Sequence, residues 1–369
     1  MTRRWLTSAL CALALLTTGS LGTASAAEGG RTPLRVTTRN LHLGADLAPV
    51  LAATTPQDLV AAVGAVWAGV RATDFTERAE ALADEIAESE PHLVGLQEAV
   101  LWRSQSPAGP GGATHVEYDF LRILLDELTA RGKHYAAVGV SVGGDFEAAR
   151  STPGGLQDIR LTDRDVLLAR TDLPARAFSV THARAARFRD HVSVCRPALG
   201  CPPGPALKSE RGWVSADVTL RGRTARVVTT RLEPAAPAVQ EAQAAELLAG
   251  PLDTGLPTVL LGDLNSAAGG VGATPATATR SYDRLLAAGF QDVWTANRHR
   301  PRTPGFTCCR APELRNAASG LTQRIDYVLF RGKINALTAE LVGEAPADRT
   351  PSGLWPSDHA GVTSALRLG

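Results

Sequence analysis

The sequence predicts a single α/β domain that follows a short export signal. Strand-like apolar runs alternate with helix-like runs along the chain, and no segment repeats internally. The composition is that of an ordinary globular protein, with 44% hydrophobic and 20% charged residues. The 369 residues allow one large domain or two ordinary ones. A net charge of +1 excludes a strongly basic, histone-like nucleic-acid binder and a strongly acidic tail protein.

Residues 1–26 are interpreted as a secretory signal peptide, which leaves residues 27–369 as one mature domain. Two arginines form its positive start, an apolar stretch follows, and Ala24-Ser25-Ala26 is a small-residue cleavage site. The apolar stretch is too short to cross a bilayer comfortably, so a membrane anchor is the disfavoured interpretation. The sequence therefore predicts a secreted, extracellular protein.

The first predicted elements alternate strand and helix. Residues 34–38 are a short β-branched run, which predicts a strand. An amphipathic helix is predicted over residues 76–89, and Asp74 with Glu77 resembles a capping box at its start. Residues 92–97 are an apolar run that predicts a buried strand.

The later elements continue this mixed order. Residues 120–131 predict a helix between Asp119 as N-cap and Gly132 as stop. Residues 213–220 and 225–230 flank a short turn and predict a hairpin. The remaining predicted elements are strands at 134–140, 165–170, 258–261, 325–330 and 334–341, and helices at 237–248 and 280–288. Long loops, which usually shape a binding face, are predicted at 103–114, 143–161 and 297–321.

Four cysteines remain once the signal is removed, and an even number in an exported protein predicts disulfides. A bond between Cys195 and Cys201 would close a short Pro- and Gly-rich loop and is the preferred pair. Cys308 and Cys309 are adjacent, so they form either a vicinal bridge or two bonds to other partners. A zinc site is the competing interpretation, but no histidine has a suitable sequence spacing to these cysteines.

Polar clusters follow several of the strand-like runs. Because strand ends converge on one edge of a sheet, such clusters can meet in one site. Carboxylates and amides bind hard divalent ions through oxygen. Hydrolysis of a phosphate ester needs such an ion, a positioned water and a cation or imidazole near the transition-state oxygens. Each cluster alone has a plainer interpretation as a turn, a helix cap or a surface carboxylate.

The combination and order of these residues resemble the endonuclease/exonuclease/phosphatase superfamily. The residues that carry the resemblance are Asn40, Glu98, Asp263-Leu264-Asn265, Asp326 and Asp358-His359. The resemblance runs from about Leu34 to Leu366 and implies a four-layer α/β sandwich, in which two mixed β-sheets pack face to face with helices outside. It also implies a site for a divalent metal, Mg²⁺ in the family's picture, and the sequence does not choose between Mg²⁺, Mn²⁺ and Ca²⁺. Glu98 would bind this metal with help from Asn40, and Asp358 would contribute.

The resemblance further implies catalytic roles for four residues. Asp263 would orient or deprotonate the attacking water, and Asn265 would hold water or phosphate. His359 would donate to the phosphoryl oxygens while Asp326 keeps it oriented and cationic. That last pairing also follows from the residue types, because an imidazolium beside a carboxylate has a raised pKa.

One segment departs from the family pattern. The family carries a histidine in a Thr-His-Leu segment after its third catalytic strand, whereas this chain has Thr230-Arg231-Leu232. Arginine binds phosphate bidentately but cannot release a proton at ordinary pH. Arg231 is therefore a candidate phosphate ligand. If the replaced histidine served as an acid, we expect Arg231→His to raise the activity.

Several function classes fit these observations. The favoured one is a secreted, metal-dependent phosphodiesterase that acts on nucleic acid as a monomer, with no protein partner implied. The near-neutral charge argues mildly against tight duplex binding, although an enzyme that releases product need not bind tightly. A sphingomyelinase-like phospholipase C would need an exposed aromatic hairpin, and no paired-aromatic tip stands out. A phosphatase for a small phosphoester and a binding protein disabled by Arg231 also fit.

Overall fold

Two large mixed β-sheets form the centre of the protein, as seen in a computed structural model. The structure describes residues 32–194, 207–297 and 303–369. The predicted signal peptide and the predicted Cys195–Cys201 bond lie outside these ranges. Within them, no helix is both long enough and apolar enough to cross a membrane.

The elements alternate along the chain as the sequence predicts. The strands are β1 (Leu34–Asn40), β2 (Leu93–Gln97), β3 (Leu101–Gln105), β4 (His115–Asp119), β5 (Tyr135–Thr152), β6 (Gly155–Arg170), β7 (Phe178–Arg187), β8 (Val192–Val194), β9 (Leu207–Ser209), β10 (Gly212–Leu220), β11 (Arg223–Arg231), β12 (Thr258–Asp263), β13 (Gln291–Asp292), β14 (Asp326–Arg331), β15 (Ile334–Ala336), β16 (Glu340–Val342) and β17 (Gly361–Leu368). The helices are α1 (Ala48–Ala52), α2 (Pro56–Ala72), α3 (Phe75–Ser89), α4 (Phe120–Ala130), α5 (Pro237–Ala249), α6 (Ser281–Ala287) and α7 (Val293–Ala296).

Both large sheets combine parallel and antiparallel pairs. The first sheet has the order β15-β17-β1-β2-β6-β3-β4, with β16 added to β17 and β5 added to β6. In it, β1 runs parallel to β2 and antiparallel to β17. The second sheet has the order β13-β14-β12-β11-β10-β7, and β11 runs parallel to β12. The prediction of two mixed sheets is therefore confirmed.

The two sheets pack face to face over an apolar core. Side chains of the first sheet meet side chains of the second: Leu34, Val36, Leu93 and Leu167 from one, and Val214, Val227, Val259, Leu261 and Val328 from the other. Strand residues alternate between faces, so every second residue enters this core. The sheets approach closely at Gly95, where a Cβ atom would lie 2.4 Å from Oγ1 of Thr229.

Helices cover the outer face of each sheet. On the first sheet, α2, α3 and α4 bury their apolar stripes against the strand residues that point outward: Val94, Leu96, Val166 and Leu168. On the second, α5 and α6 bury Ala244, Leu247 and Leu285 against Val228, Leu260 and Leu329. The layers are thus helix, sheet, sheet and helix, which confirms the four-layer sandwich.

Two predicted local features are wrong. Residues 143–161, predicted as a loop, belong mostly to a long antiparallel hairpin of β5 and β6. Its β5 strand is irregular, with register shifts that break the alternation by which strands are recognised. The capping box of α3 is also incomplete. Asp74 does cap the helix by accepting from the Thr76 N–H at 3.2 Å, but Glu77 accepts hydrogen bonds from Ser352 instead.

Candidate active site

The strand ends bring the predicted site residues to one end of the sandwich. In the first sheet, the parallel register pairs Asn40 at the end of β1 with Gln97, directly before Glu98. In the second sheet, Asp263 pairs with Arg231 on one side and with Asp326 on the other. The two sheets deliver polar groups to the same end because both hold parallel strands that finish there.

Asn40 links the two sheets across this site. Its Nδ2 amide donates to Oε1 of Glu98 at 3.3 Å and to Oδ2 of Asp263 at 3.2 Å. Its Oδ1 accepts from the His42 N–H at 2.9 Å. The second oxygen of Glu98, Oε2, accepts from the Leu43 N–H at 2.6 Å. Asn40 and Glu98 are therefore neighbours, as the metal-site prediction requires.

His359 and Asp326 form the predicted acid–imidazole pair. Nδ1 of His359 lies 2.8 Å from Oδ2 of Asp326, and both side chains are buried. Burial by itself lowers the pKa of His359, but the carboxylates of Asp326 and Asp358 outweigh it and raise the pKa to about 10. The peptide N–H of Asp326 donates to Oγ1 of Thr307 at 3.2 Å, and this bond holds the start of β14 in place. The imidazole is thereby kept oriented and cationic at neutral pH.

Asp263 lies at the centre of the group. Burial raises the pKa of Asp263 to about 6, and the neighbouring Asp326 carboxylate acts in the same direction. The positive charges of His359 and Arg231 act to lower this pKa but do not outweigh the increase. Ligand atoms of Asp263, Asp326 and His359 lie within 4.8 Å of one another. Gly262 precedes Asp263 within β12; its φ of 151° is strained for other residues, and its Cβ position would lie 2.1 Å from the Thr230 carbonyl oxygen. A carboxyl group with this pKa is suited to accept a proton near neutral pH.

Asn265 is placed beside Asp263 by a local turn. Its N–H donates to Oδ1 of Asp263 at 3.0 Å. Its side-chain Nδ2 donates to the Leu232 carbonyl at 3.0 Å, and its own carbonyl accepts from Nε2 of Gln240 at 2.7 Å. The amide nitrogen is therefore engaged with the end of β11, which fixes the orientation of the Asn265 side chain at the site.

Asp358 is paired with a histidine that the sequence analysis did not identify. Oδ2 of Asp358 lies 3.2 Å from Nδ1 of His42, and Nε2 of His42 donates to the Pro312 carbonyl at 3.1 Å. Burial acts to raise the pKa of Asp358, but His42 and His359 outweigh it and hold that pKa well below its usual range. His42 stands two residues after Asn40, and that spacing within the strand-end cluster was the available signal.

Buried arginines fix the loops of the site. Arg78, on α3, donates to the carbonyl oxygens of Leu41 and Pro356 at 2.7 and 2.8 Å. Arg310 donates to the carbonyls of Ser357 and His359 at 2.9 and 3.0 Å. These side chains satisfy loop carbonyls that burial would otherwise leave without donors. A single arginine in a sequence carries no pattern that would predict such a role.

Arg231, which stands in place of the expected histidine, points into the carboxylates of the site. Nη2 lies 2.5 Å from Oε1 of Glu98, Nη1 lies 2.9 Å from Oδ2 of Asp163, and Nε lies 3.9 Å from Oδ2 of Asp263. Burial acts to lower the pKa of Arg231, but Glu98 and Asp163 outweigh it and raise that pKa. The guanidinium is thus a fixed positive charge beside the predicted metal carboxylate.

A pair of acidic residues on β6 lies behind Arg231 and was also missed by the sequence analysis. Asp163 accepts from Arg231 and from Arg211, both through Oδ2. Asp165, two residues on, shares its face of the strand and is 3% exposed. Burial, with the Asp163 carboxylate acting in the same direction, raises the pKa of Asp165 well above its usual range. The segment was predicted as a loop up to residue 161 and a plain strand from 165, so these carboxylates carried no signal.

The adjacent cysteines lie beside the imidazole of His359. Cys308 and Cys309 are bonded to each other, which is the vicinal bridge that the sequence left open. Their sulfur atoms and a ring nitrogen of His359 lie within 4.8 Å of one another. A histidine, His359, is thus close to the cysteines in space, although their sequence spacing did not indicate it. Both sulfurs are bonded in the disulfide, which counts against the competing zinc site.

The donor set at the strand ends fits a hard divalent cation. Glu98, Asp263 and Asp358 carry carboxylate oxygens and Asn40 carries an amide oxygen, which are the ligand types that Mg²⁺, Mn²⁺ and Ca²⁺ prefer. In this structure Nδ2 of Asn40 faces Glu98 and Asp263, and its Oδ1 accepts from the His42 N–H. Asn40 holds Glu98 and Asp263 close together through its one amide nitrogen. These four residues supply no sulfur ligand, which makes zinc a poorer fit.

Known proteins support this arrangement at the level of family and fold. A family model described as "Endonuclease/Exonuclease/phosphatase family" matches residues 66–359. No curated protein matches the chain.

Solved structures share the fold. An endonuclease/exonuclease/phosphatase from Bacteroides vulgatus has a TM-score of 0.55 at 16% identity, covering 92% of this chain and 100% of its own. A family protein from Bacteroides thetaiotaomicron has a TM-score of 0.54 at 14% identity, covering 92% and 98%. A mannosyl-6-phosphatase from Bacteroides thetaiotaomicron VPI-5482 has a TM-score of 0.51 at 16% identity, covering 91% and 100%. At such identities the likeness concerns the fold alone.

Proposed function

The chain belongs to the endonuclease/exonuclease/phosphatase family, and from this premise we propose that it is an exported, divalent-metal-dependent hydrolase that cleaves the phosphodiester bonds of nucleic acid. The observation that carries the proposal is the meeting of three groups at one end of the sandwich. These groups are the Glu98–Asn40 pair, the Asp263 carboxyl and the His359–Asp326 pair. Together they offer a metal site, a base and a cation, which hydrolysis of a phosphate ester requires.

The proposed reaction is an in-line attack of water on phosphorus. Asp263, whose pKa lies at about 6, accepts a proton from the water, and the new P–O bond forms as the bond to the leaving oxygen breaks. His359, kept cationic by Asp326, donates a hydrogen bond to a phosphoryl oxygen that gains negative charge. Glu98 and Asn40 would hold a divalent metal, which would supply positive charge at the phosphate. The leaving oxygen takes its proton from solvent, because Arg231 cannot release one.

Plasmid nicking by residues 27–369 tests the proposal. The reaction is run with Mg²⁺ or with EDTA, on the wild type, Asp263→Ala and Asp217→Ala. Asp217 is a matched control, because it is a buried aspartate of the same sheet that pairs with Arg226. We expect nicking that requires the metal, is lost in Asp263→Ala and persists in Asp217→Ala. Circular dichroism shows whether each variant folds.

Parallel assays with different phosphoesters identify the substrate class. Sphingomyelin liposomes and a phosphorylated sugar are assayed beside DNA. Turnover of either one without nicking would refute nucleic acid as the substrate and keep the hydrolase and its site. Mn²⁺ binding that depends on Glu98, without turnover of any of the three phosphoesters, would favour a binding protein built on the same scaffold. Normal nicking by Asp263→Ala would refute the site assignment itself.

A further inference from the structure

Glu98, the predicted metal-binding carboxylate, already forms an ion pair with the guanidinium of Arg231. Oε1 of Glu98 receives Nη2 of Arg231 at 2.5 Å and Nδ2 of Asn40 at 3.3 Å, and Oε2 receives the Leu43 N–H at 2.6 Å. Every oxygen of Glu98 thus faces a donor, and its negative charge is balanced by a side chain whose residue is itself 7% exposed. A divalent ion that binds Glu98 must compete with this guanidinium.

The same guanidinium has other carboxylates within reach. Nη1 of Arg231 also binds Oδ2 of Asp163 at 2.9 Å. Among the described residues, Oδ1 of Asp163 and Oδ1 of Asp165 are buried without a hydrogen-bond partner, and so is Nε of Arg231. Buried polar atoms without partners are uncommon and costly in folded proteins. Two unused acceptors therefore lie on β6, on Asp163 that already binds Arg231 and on its neighbour Asp165, while the unused Nε of Arg231 lies 3.9 Å from Oδ2 of Asp263.

We propose that Arg231 is a resident counter-cation of the metal site: it bridges Glu98 and Asp163 when no metal is bound, and it keeps Asp163 and turns toward Asp165 when a divalent ion takes Glu98. This inference rests on the proposed function, since it assumes a metal at Glu98. Arg231 then sets how tightly the protein holds its metal. Each metal ion that binds must displace one ion pair, and the freed guanidinium is taken up by acceptors that otherwise lack a donor.

Arg211 provides a closely matched control for Arg231. Both arginines bind Oδ2 of Asp163, and their side chains are 11% and 8% exposed. Arg211 forms ion pairs with Asp163 and Glu233, whereas Arg231 also reaches Glu98. Replacing either one by glutamine removes one charge and one partner of Asp163. Only the Arg231 replacement frees the metal carboxylate.

The test is a titration of each protein with Mn²⁺ alone. Binding is measured by isothermal titration calorimetry and by the electron paramagnetic resonance signal of free Mn²⁺. The proteins are the wild type, Arg231→Gln, Arg211→Gln and Glu98→Gln. We expect Arg231→Gln to bind Mn²⁺ at least tenfold more tightly than the wild type. Arg211→Gln should stay within threefold of the wild type, and Glu98→Gln should bind at least tenfold more weakly. If Arg231→Gln does not fold, Arg231→Met replaces it, because its side chain is uncharged at every pH.

A further variant tests the acceptor side of the inference. Asp165→Asn keeps the size of the side chain and replaces one of the two carboxyl oxygens that would receive Arg231 by an amide nitrogen, which cannot accept. We expect it to bind Mn²⁺ several-fold more weakly than the wild type. An unchanged affinity would remove Asp165 from the transfer and overturn that half of the inference.

The titration results separate this inference from the proposed function. If Arg231→Gln binds Mn²⁺ no more tightly than the wild type, the inference is overturned. It is also overturned if Arg231→Gln and Arg211→Gln show the same increase in Mn²⁺ affinity. If neither the wild type nor Arg231→Gln binds Mn²⁺, the inference and the metal-dependent function both fail. Tighter binding by Arg231→Gln in a protein that cleaves no phosphoester supports the inference and counts against the function alone.

Discussion

Asp326→Asn should lower the pKa of His359 by about 3 pH units. The pair joins Nδ1 of His359 to Oδ2 of Asp326 at 2.8 Å, with both side chains buried. Two unit charges about 4 Å apart interact by about 4 kcal/mol at an effective dielectric constant of about 20. Since 1.36 kcal/mol corresponds to about one pH unit, loss of that interaction takes the pKa from about 10 to about 7. Asparagine keeps the shape and a hydrogen-bonding oxygen, so the charge is what changes.

The assay is an NMR titration of protein labelled in its 8 histidines. His359→Gln assigns the resonance by removing it, and Asp217→Asn is the control, because Asp217 pairs with Arg226 and His182. The wild-type imidazole should stay cationic to about pH 9, and the Asp217→Asn imidazole should do the same. A pKa above 9 in Asp326→Asn, or below 7 in the wild type, would refute the role given to Asp326.

The same change should alter how activity depends on pH. If the cationic imidazole is the active form, the rate of Asp326→Asn relative to the wild type should fall about tenfold for each pH unit between about 7 and 9. The ratio should level off below pH 6, where both imidazoles are cationic. A ratio that is constant across this range would mean that the charge of His359 does not matter for turnover.

The same pair also links folding to pH. The folded-state pKa of His359 is raised from 6.5 to about 10, so its stabilising contribution is complete below pH 6.5 and is lost as the pH rises toward 10. The free energy of unfolding of Asp326→Asn, measured by urea denaturation, should therefore depend less on pH between 7 and 10 than that of the wild type. Equal slopes would contradict this linkage.

Three further predictions concern single positions. His359→Ala should abolish turnover of the substrate while circular dichroism and the melting temperature show a folded protein; normal turnover would remove His359 from the site. Asp165→Asn should raise the free energy of unfolding, measured by urea denaturation, by about 1–3 kcal/mol at pH 8 and leave it nearly unchanged at pH 4. The reason is that burial penalises the Asp165 charge only at pH values where the carboxyl ionises. An equal increase at both pH values would contradict this cause. Gly262→Ala should lower that free energy by about 3 kcal/mol or more, since its Cβ would lie 2.1 Å from the Thr230 carbonyl oxygen; a loss below about 1 kcal/mol would show that the strand can shift.

Most of the fold could be predicted from local patterns. Apolar runs of strand length and amphipathic runs of helix length predicted the majority of the elements, because burial on one face imposes a period on the sequence. Helix α2 (Pro56–Ala72) was not predicted. The strands predicted at 134–140 and 165–170 belong to β5 and β6, but residues 143–161 of the same hairpin were mistaken for a loop. That hairpin includes register shifts and exposed positions, so the hydrophobic alternation on which a strand prediction depends is missing there.

The residue types of the site could be predicted as well, since each follows a strand end and offers oxygen or imidazole chemistry. The structure brings Asn40, Glu98 and Asp263 into contact and pairs His359 with Asp326. The catalytic, metal-binding and phosphate-binding roles assigned to them, including that of Arg231, stay predictions for the experiments above.

By itself, the sequence determined which chemistry the chain can offer and the order in which strands and helices deliver it. Which of those groups meet depends on how the two sheets pair and pack. Asn40 and Asp263 are 223 positions apart and come together through sheet register and the packing of two sheets, which no local pattern encodes. For the same reason, only the folded structure reveals that Arg231 takes Glu98 and Asp163 as partners. The sequence shows the sign of each side-chain charge. The partners of that charge depend on burial and distance, which are set when the two sheets pack together.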